Sequence, residues 1–117
     1  EAVAKKTPEA YASAQQAVDL YPGLYQARYA AGALAFELEK DAESLAHLDA
    51  AEKIVPGQPQ VAFYRGRNFE AQNRRDAAAR AYAAVLEQVQ KGPMAEYCYK
   101  RLVEWGYVRP PQPAPRG

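Results

Sequence analysis

The chain repeats itself at an interval of thirty-four residues. Gly32 recurs as Gly66 and Pro22 recurs as Pro56, and a fixed period of this size marks a repeat architecture. A whole helix face repeats with them: Ala10, Ala14, Ala17 and Leu20 return as Ser44, Leu48, Ala51 and Ile54, then as Ala78, Tyr82 and Val85. Spacings of four, three and three lie on one side of a helix with 3.6 residues per turn. One helical hairpin cannot bury its own apolar side, so copies of it must stack on one another. The expected fold is therefore all-α, an array of antiparallel helical hairpins with about six helices.

Local signals place the boundaries. Thr7 offers a capping hydroxyl, Pro8 suits a first helical position where no N–H is needed, and Glu9 meets the positive end. A first helix is thus expected from Pro8 to Leu20, stopping at Tyr21-Pro22-Gly23. Further helices are expected over Tyr25 to Leu38, Ala42 to Val55, Gln60 to Gln72, Arg75 to Gln90 and Met94 to Trp105. Residues 1–7 read as a leading segment cut from a longer chain, and 8–24 as half a repeat. Residues 25–58 and 59–92 read as two full repeats, and 93–106 as a capping helix wetted by Lys100, Arg101 and Glu104. Pro93 comes three residues later than Pro56 predicts, so the preceding helix is expected to be about one turn longer. Gly32 and Gly66 each cost about 1 kcal/mol against alanine in mid-helix. Close approach to Ser44 and Ala78 is expected to offset that cost. The Pro-rich tail, 107–117, contains Pro110-x-x-Pro113, a pattern read by proline-recognising domains.

Charge and motifs exclude several functions. Fifteen basic residues against fourteen acidic ones leave a net charge of +1, too little field to recruit nucleic acid or an anionic membrane. Arg74 and Arg75 have Asp76 beside them as a local offset. No apolar run approaches the roughly 20 residues that span a bilayer. Cys98 is the only cysteine, so it closes no intrachain disulfide and builds no cysteine metal site, which leaves cytoplasm and periplasm both open. It falls on the apolar side of the last helix, where a buried, inert thiol is expected. His47, the only histidine, falls where the second helix of a hairpin is expected to be exposed. There is no HExxH, phosphate loop or nucleophile elbow. No enzymatic activity, cofactor or metal is expected.

These positions resemble the tetratricopeptide repeat, a helix-turn-helix unit of thirty-four residues. That family places a glycine in its first helix and an alanine near the start of the second. An aromatic or leucine follows four residues later, an alanine three beyond that, and a proline closes the unit. Here these are Gly32, Ser44, Leu48, Ala51 and Pro56, then Gly66, Ala78, Tyr82 and Val85. The resemblance covers Pro8 to Gly106. Two features depart from it: the early aromatic is Arg28 or Ala62, with Tyr29 and Phe63 alongside, and the turn glycine is Glu39 or Asn73.

The resemblance implies a right-handed superhelix whose first-type helices line a concave groove holding an extended peptide or a partner helix. It places Gln26, Tyr29, Ala33, Phe36 and Glu37 along that groove, followed by Gln60, Phe63, Arg67, Glu70 and Ala71, and then Glu96 and Lys100. Tyr29 and Phe36 would floor a site for an apolar side chain. Arg67 and Lys100 would hold a carboxylate, unless Arg67 pairs with Glu70 or Glu96. The lysine and asparagine by which some members clamp chaperone C-termini are replaced by Tyr29 and Ala33. The implied function is protein–protein interaction. Two other roles are compatible with the sequence: a module following the catalytic domain of a bacterial envelope zinc metallopeptidase, and a homo-oligomer formed through an incomplete N-terminal end that leaves Tyr11 exposed.

Overall fold

A computed structural model describes residues 2–109, with side chains from residue 6 onward. Among these residues lie six helices and no strand: α1 (Ala2–Leu20), α2 (Tyr25–Glu37), α3 (Asp41–Ile54), α4 (Pro59–Ala71), α5 (Arg75–Gln88) and α6 (Pro93–Glu104). The Pro110-x-x-Pro113 motif lies outside the described residues.

The period governs the backbone almost residue by residue. Helices α2, α4 and α6 begin at Tyr25, Pro59 and Pro93, and α3 and α5 begin at Asp41 and Arg75. Pro93 is therefore the counterpart of Pro59, not a displaced Pro56. Both prolines stand at the start of a helix, where a missing N–H removes no intrahelical bond. The longer helix expected before Pro93 is absent, since α3 and α5 have 14 residues each. Both stop at an extended valine, Val55 with φ −131° and Val89 with φ −127°.

The first-type helices α2 and α4 also end alike. Glu39 donates its backbone N–H to Phe36 and Lys40 to Ala35, as Asn73 does to Glu70 and Arg74 to Phe69. This paired closure requires a left-handed residue after the helix, and Glu39 and Asn73 both have φ 60°.

Helix α1 departs from its predicted start. It begins at Ala2 and carries Pro8 inside it, so Thr7 is not its cap. Alanine and lysine on the N-terminal side of Pro8 are strong helix formers, and near a helix end the proline disturbs only one turn. The buried side of α1 is also displaced from the predicted face. Tyr11 and Val18 are buried, whereas Ala10 and Leu20 are exposed. The reason is that the Ala10 side corresponds to the side of α3 and α5 that meets a glycine-bearing helix, and no described helix precedes α1. Tyr11 packs with Ala27, Ala31 and Ala35 of α2, and α3 also meets it: its hydroxyl donates to the Glu43 carboxylate, and its ring meets His47 edge-on at 6.3 Å. Tyr11 is thus not an exposed end of the array, and His47 is half-buried, with Nδ1 shielded from solvent.

The two glycines do allow close packing: Gly32 lies against Ser44, as expected, and also against Leu48, whereas Gly66 lies against Tyr82 in place of Ala78. A methyl at Gly32 would lie 2.7 Å from Leu48 Cδ2, and one at Gly66 would press into the Tyr82 ring. The space that each glycine leaves is filled by a large, fully buried side chain one turn beyond Ser44 or Ala78. Ser44 has a separate task. Its hydroxyl donates to the Gly32 carbonyl at 2.7 Å and accepts from Asn68 Nδ2 at 2.8 Å, which ties α4 to the preceding hairpin. Ser44 and Asn68 are the only buried polar side chains among the described residues.

The array is open. Its radius of gyration is 16.2 Å and its extents are 63 × 33 × 24 Å, against a radius of about 13 Å for a compact domain of this length. Helix α2 packs on α4, whereas α3 and α5 make no comparable contact. The array therefore curves with α2 and α4 on its inner side. Beyond α6, Gly106 turns with φ 83°, Tyr107 donates its hydroxyl to Asp76, and Val108 packs on the α5–α6 core.

Candidate functional site

Extending the period across α2, α4 and α6 aligns three residues at each level of the inner face. Gln26, Gln60 and Met94 share one level, and Tyr29, Phe63 and Tyr97 the next. Ala33, Arg67 and Arg101 follow, then Phe36, Glu70 and Glu104. The inner face is thus apolar over α2 and charged over α4 and α6.

A ladder of rings forms its floor. Tyr29 stacks on Tyr25 with centroids 6.2 Å apart and meets Tyr64 edge-on at 6.0 Å. Tyr64 also meets Phe36 at 5.9 Å and Phe63 at 5.5 Å, and Phe63 meets Tyr97 at 5.6 Å. Edge-to-face contacts of this kind add about 0.5–1.5 kcal/mol each beyond area burial. Tyr29, Phe36, Phe63 and Tyr97 all remain half-buried, so their rings hold the helices together and still present surface. Burial, with Tyr64 and Tyr25 close by, raises the Tyr29 hydroxyl above its ordinary 10.0 and keeps it neutral.

Arg67 lies over this ladder. Its guanidinium carbon is 4.8 Å from the Tyr97 ring centre, 5.1 Å from that of Phe36 and 5.7 Å from that of Phe63. Rings at such distances hold a cation by its attraction to their negative faces. Arg67 has no carboxylate partner among the described residues, because Glu70 is already engaged. Glu70 accepts from the Tyr82 hydroxyl at 2.7 Å and from the Tyr97 hydroxyl at 2.9 Å, and it forms an ion pair with Arg101, whose Nε lies 2.9 Å away. Arg101 also bonds Glu104 at 2.6 Å. The guanidinium of Arg67 is therefore oriented by rings, with its N–H donors uncommitted.

Of the residues expected along a groove, Tyr29, Phe36, Phe63, Arg67 and Glu70 come together. Gln60 joins their edge by donating Nε2 to the Tyr25 hydroxyl at 3.0 Å. Gln26 and Glu37 are exposed beside them, and Ala33 is half-buried in the level of Arg67. Glu96 and Ala71 are exposed and reach neither Arg67 nor the ladder. Lys100 is exposed and occupies the level of Gly32 and Gly66, so Arg101, not Lys100, is the counterpart of Arg67. Sequence reasoning missed Tyr64, Tyr97 and Arg101. Adding the period once more to Phe63 and Arg67 finds the last two, but reading α6 as a cap stopped that step.

Burial raises the Cys98 thiol to about 11, and the described residues hold no group of three side chains able to ligate a metal. Among them no helix is long and apolar enough to cross a membrane. No protein-family profile matches the chain, and no curated protein matches it at a significant level of sequence similarity.

Proposed function

We propose that the chain is a peptide-binding helical-repeat module of the tetratricopeptide kind, which holds an extended segment of a partner protein along α2, α4 and α6 and performs no chemistry itself. The observation that carries this reading is Arg67, a cation oriented by three rings and left without a carboxylate. Leaving such donors unpaired is unfavourable for folding alone and useful for binding, since a guanidinium fork matches a carboxylate in geometry and charge. The partner segment carries an acidic group at Arg67. An apolar side chain of the same segment rests on Tyr29, Ala33 and Phe36, where the inner face is uncharged. Gln26 stands beside that apolar end and offers its amide to the peptide backbone.

Panning a random peptide library against the chain tests the proposal. Enriched peptides are expected to pair an acidic group with an aromatic or aliphatic residue. A charge-assisted hydrogen bond contributes about 1.5–3 kcal/mol, so Arg67→Gln should weaken them roughly tenfold to a hundredfold while far-ultraviolet circular dichroism stays unchanged. Peptides that bind Arg67→Gln as well as the parent, or a library without enrichment, would refute it.

A further inference from the structure

On the other side of α4 lies a second feature. Arg65 and Arg67 are two positions apart, about 200° around a helix of 3.6 residues per turn, so Arg65 faces away from the ring ladder. It lines a cleft of about 370 Å³ bounded by the end of α3, α4 and α5, together with Phe69, Arg74 and Arg80. We propose that this cleft binds an oxyanion, and specifically a phosphate monoester.

The charge balance is the first reason. Arg80 makes no hydrogen bond or ion pair among the described residues. Arg74 lies 4.7 Å over the Phe69 ring, and its one hydrogen bond is a long 3.4 Å contact with Gln72. Arg65 Nε is 3.1 Å from Asp49 on the rim, but its N–H is not aligned for a hydrogen bond. The carboxylate lining the cleft, Glu52, already accepts the Gly57 N–H at 3.0 Å. Asp76, the expected offset for Arg74, instead accepts from Tyr107. Arg74 and Arg80 thus have no carboxylate within ion-pair distance among the described residues. A phosphate monoester, with about −1.5 to −2 at neutral pH and three acceptor oxygens, pairs with both guanidiniums at once.

The repeat itself supplies the second reason. In the first unit the levels of Arg65, Arg74 and Arg80 are held by Ala31, Lys40 and Ala46, and Ala31 is fully buried. The architecture therefore requires no arginine at two of these places. Arg65 is half-buried at the level of Ala31 and lines the cleft with its guanidinium carbon 5.8 Å from the Phe69 ring centre. The Phe69 ring, where the first unit has Ala35, keeps the Arg74 guanidinium plane in position.

Nitrogen-15 NMR of the full chain, including arginine Nε–H signals, tests this with inorganic phosphate at constant ionic strength. Saturable shifts are expected at Arg65, Arg74 and Arg80 and not at Arg67, with at least tenfold weaker binding in Arg74→Gln/Arg80→Gln. Both substituted side chains are exposed, and Arg80→Gln alone provides a check in which the Phe69 stack is intact. Shifts no larger than those with chloride, or equal shifts in the double variant, would overturn the proposal. A phosphoserine peptide that binds tenfold tighter than phosphate identifies the source as a phosphorylated protein; equal affinity identifies a small phosphate ester.

Discussion

Replacing Gly66 by alanine adds one methyl to the side of α4 that meets α5. Considered as a helix alone, α4 gains about 1 kcal/mol from the change. Within the fold, that methyl lies 2.7 Å from Tyr82 Cδ1, well inside contact distance. The ring has nowhere to retreat. It is fully buried, its hydroxyl donates to Glu70 at 2.7 Å, and Trp105 stacks on it with centroids 6.0 Å apart. Overpacking of this kind costs about 1–3 kcal/mol, and losing the bond to a charged acceptor about 1.5–3 more. The net loss should be about 2–5 kcal/mol. At Gly32 the neighbours are the Leu48 side chain and, at 3.3 Å, the Ser44 carbonyl; Leu48 donates no bond that a shift would break, so Gly32→Ala should lose no more than about 2 kcal/mol. Gly23 has nothing within 4 Å of a new methyl, so Gly23→Ala should be neutral or stabilising by up to about 1 kcal/mol. Urea unfolding followed by circular dichroism at 222 nm measures all three. Gly66→Ala as stable as the parent, or less damaging than Gly32→Ala, would refute the argument that these glycines serve close helix packing. In Gly66→Ala/Tyr82→Leu, where the smaller leucine leaves room for the new methyl, the two losses should be less than additive.

Glu39 holds a left-handed backbone without the freedom of glycine, so Glu39→Gly should raise unfolding free energy by about 1 kcal/mol in the same assay. Burial, aided by nearby Arg28 and opposed by Glu43, holds the His47 imidazole below its ordinary 6.5. The unfolded chain then binds a proton that the folded chain resists, so stability should fall as pH drops from 6.5 towards the folded value, and His47→Gln should flatten that part of the curve. Cys98 is fully buried with its thiol raised to about 11. Ellman's reagent should therefore react with it only in denaturant, and prompt reaction in the native protein would place the thiol elsewhere.

Much of the architecture was legible because the period constrains both backbone and packing. Every helix was found, and the ends of all but α1 fell within two residues of expectation, since proline, glycine and the extended valines act locally. The errors arose where a local signal competed with the period. Thr7-Pro8 has the chemistry of a helix start but sits inside α1, and Pro93 was matched to Pro56 when the interval matches it to Pro59. At the candidate groove, the resemblance placed Tyr29, Phe36, Phe63 and Arg67 along one side of the array, and their side chains do meet in one ladder. That Glu70 is consumed by Tyr82, Tyr97 and Arg101, leaving Arg67 free, depends on three helices meeting and has no signature along the chain.

The sequence alone determined the helical hairpins, their number and their register, because helix propensity, turn chemistry and a thirty-four-residue recurrence act over short distances and need no partner. Tertiary structure alone decided which side chains fill the space beside each glycine, which face of α1 is covered, and which arginines are left without a carboxylate. Those outcomes turn on which groups from different helices arrive together, and one acid can satisfy only the donors within its reach.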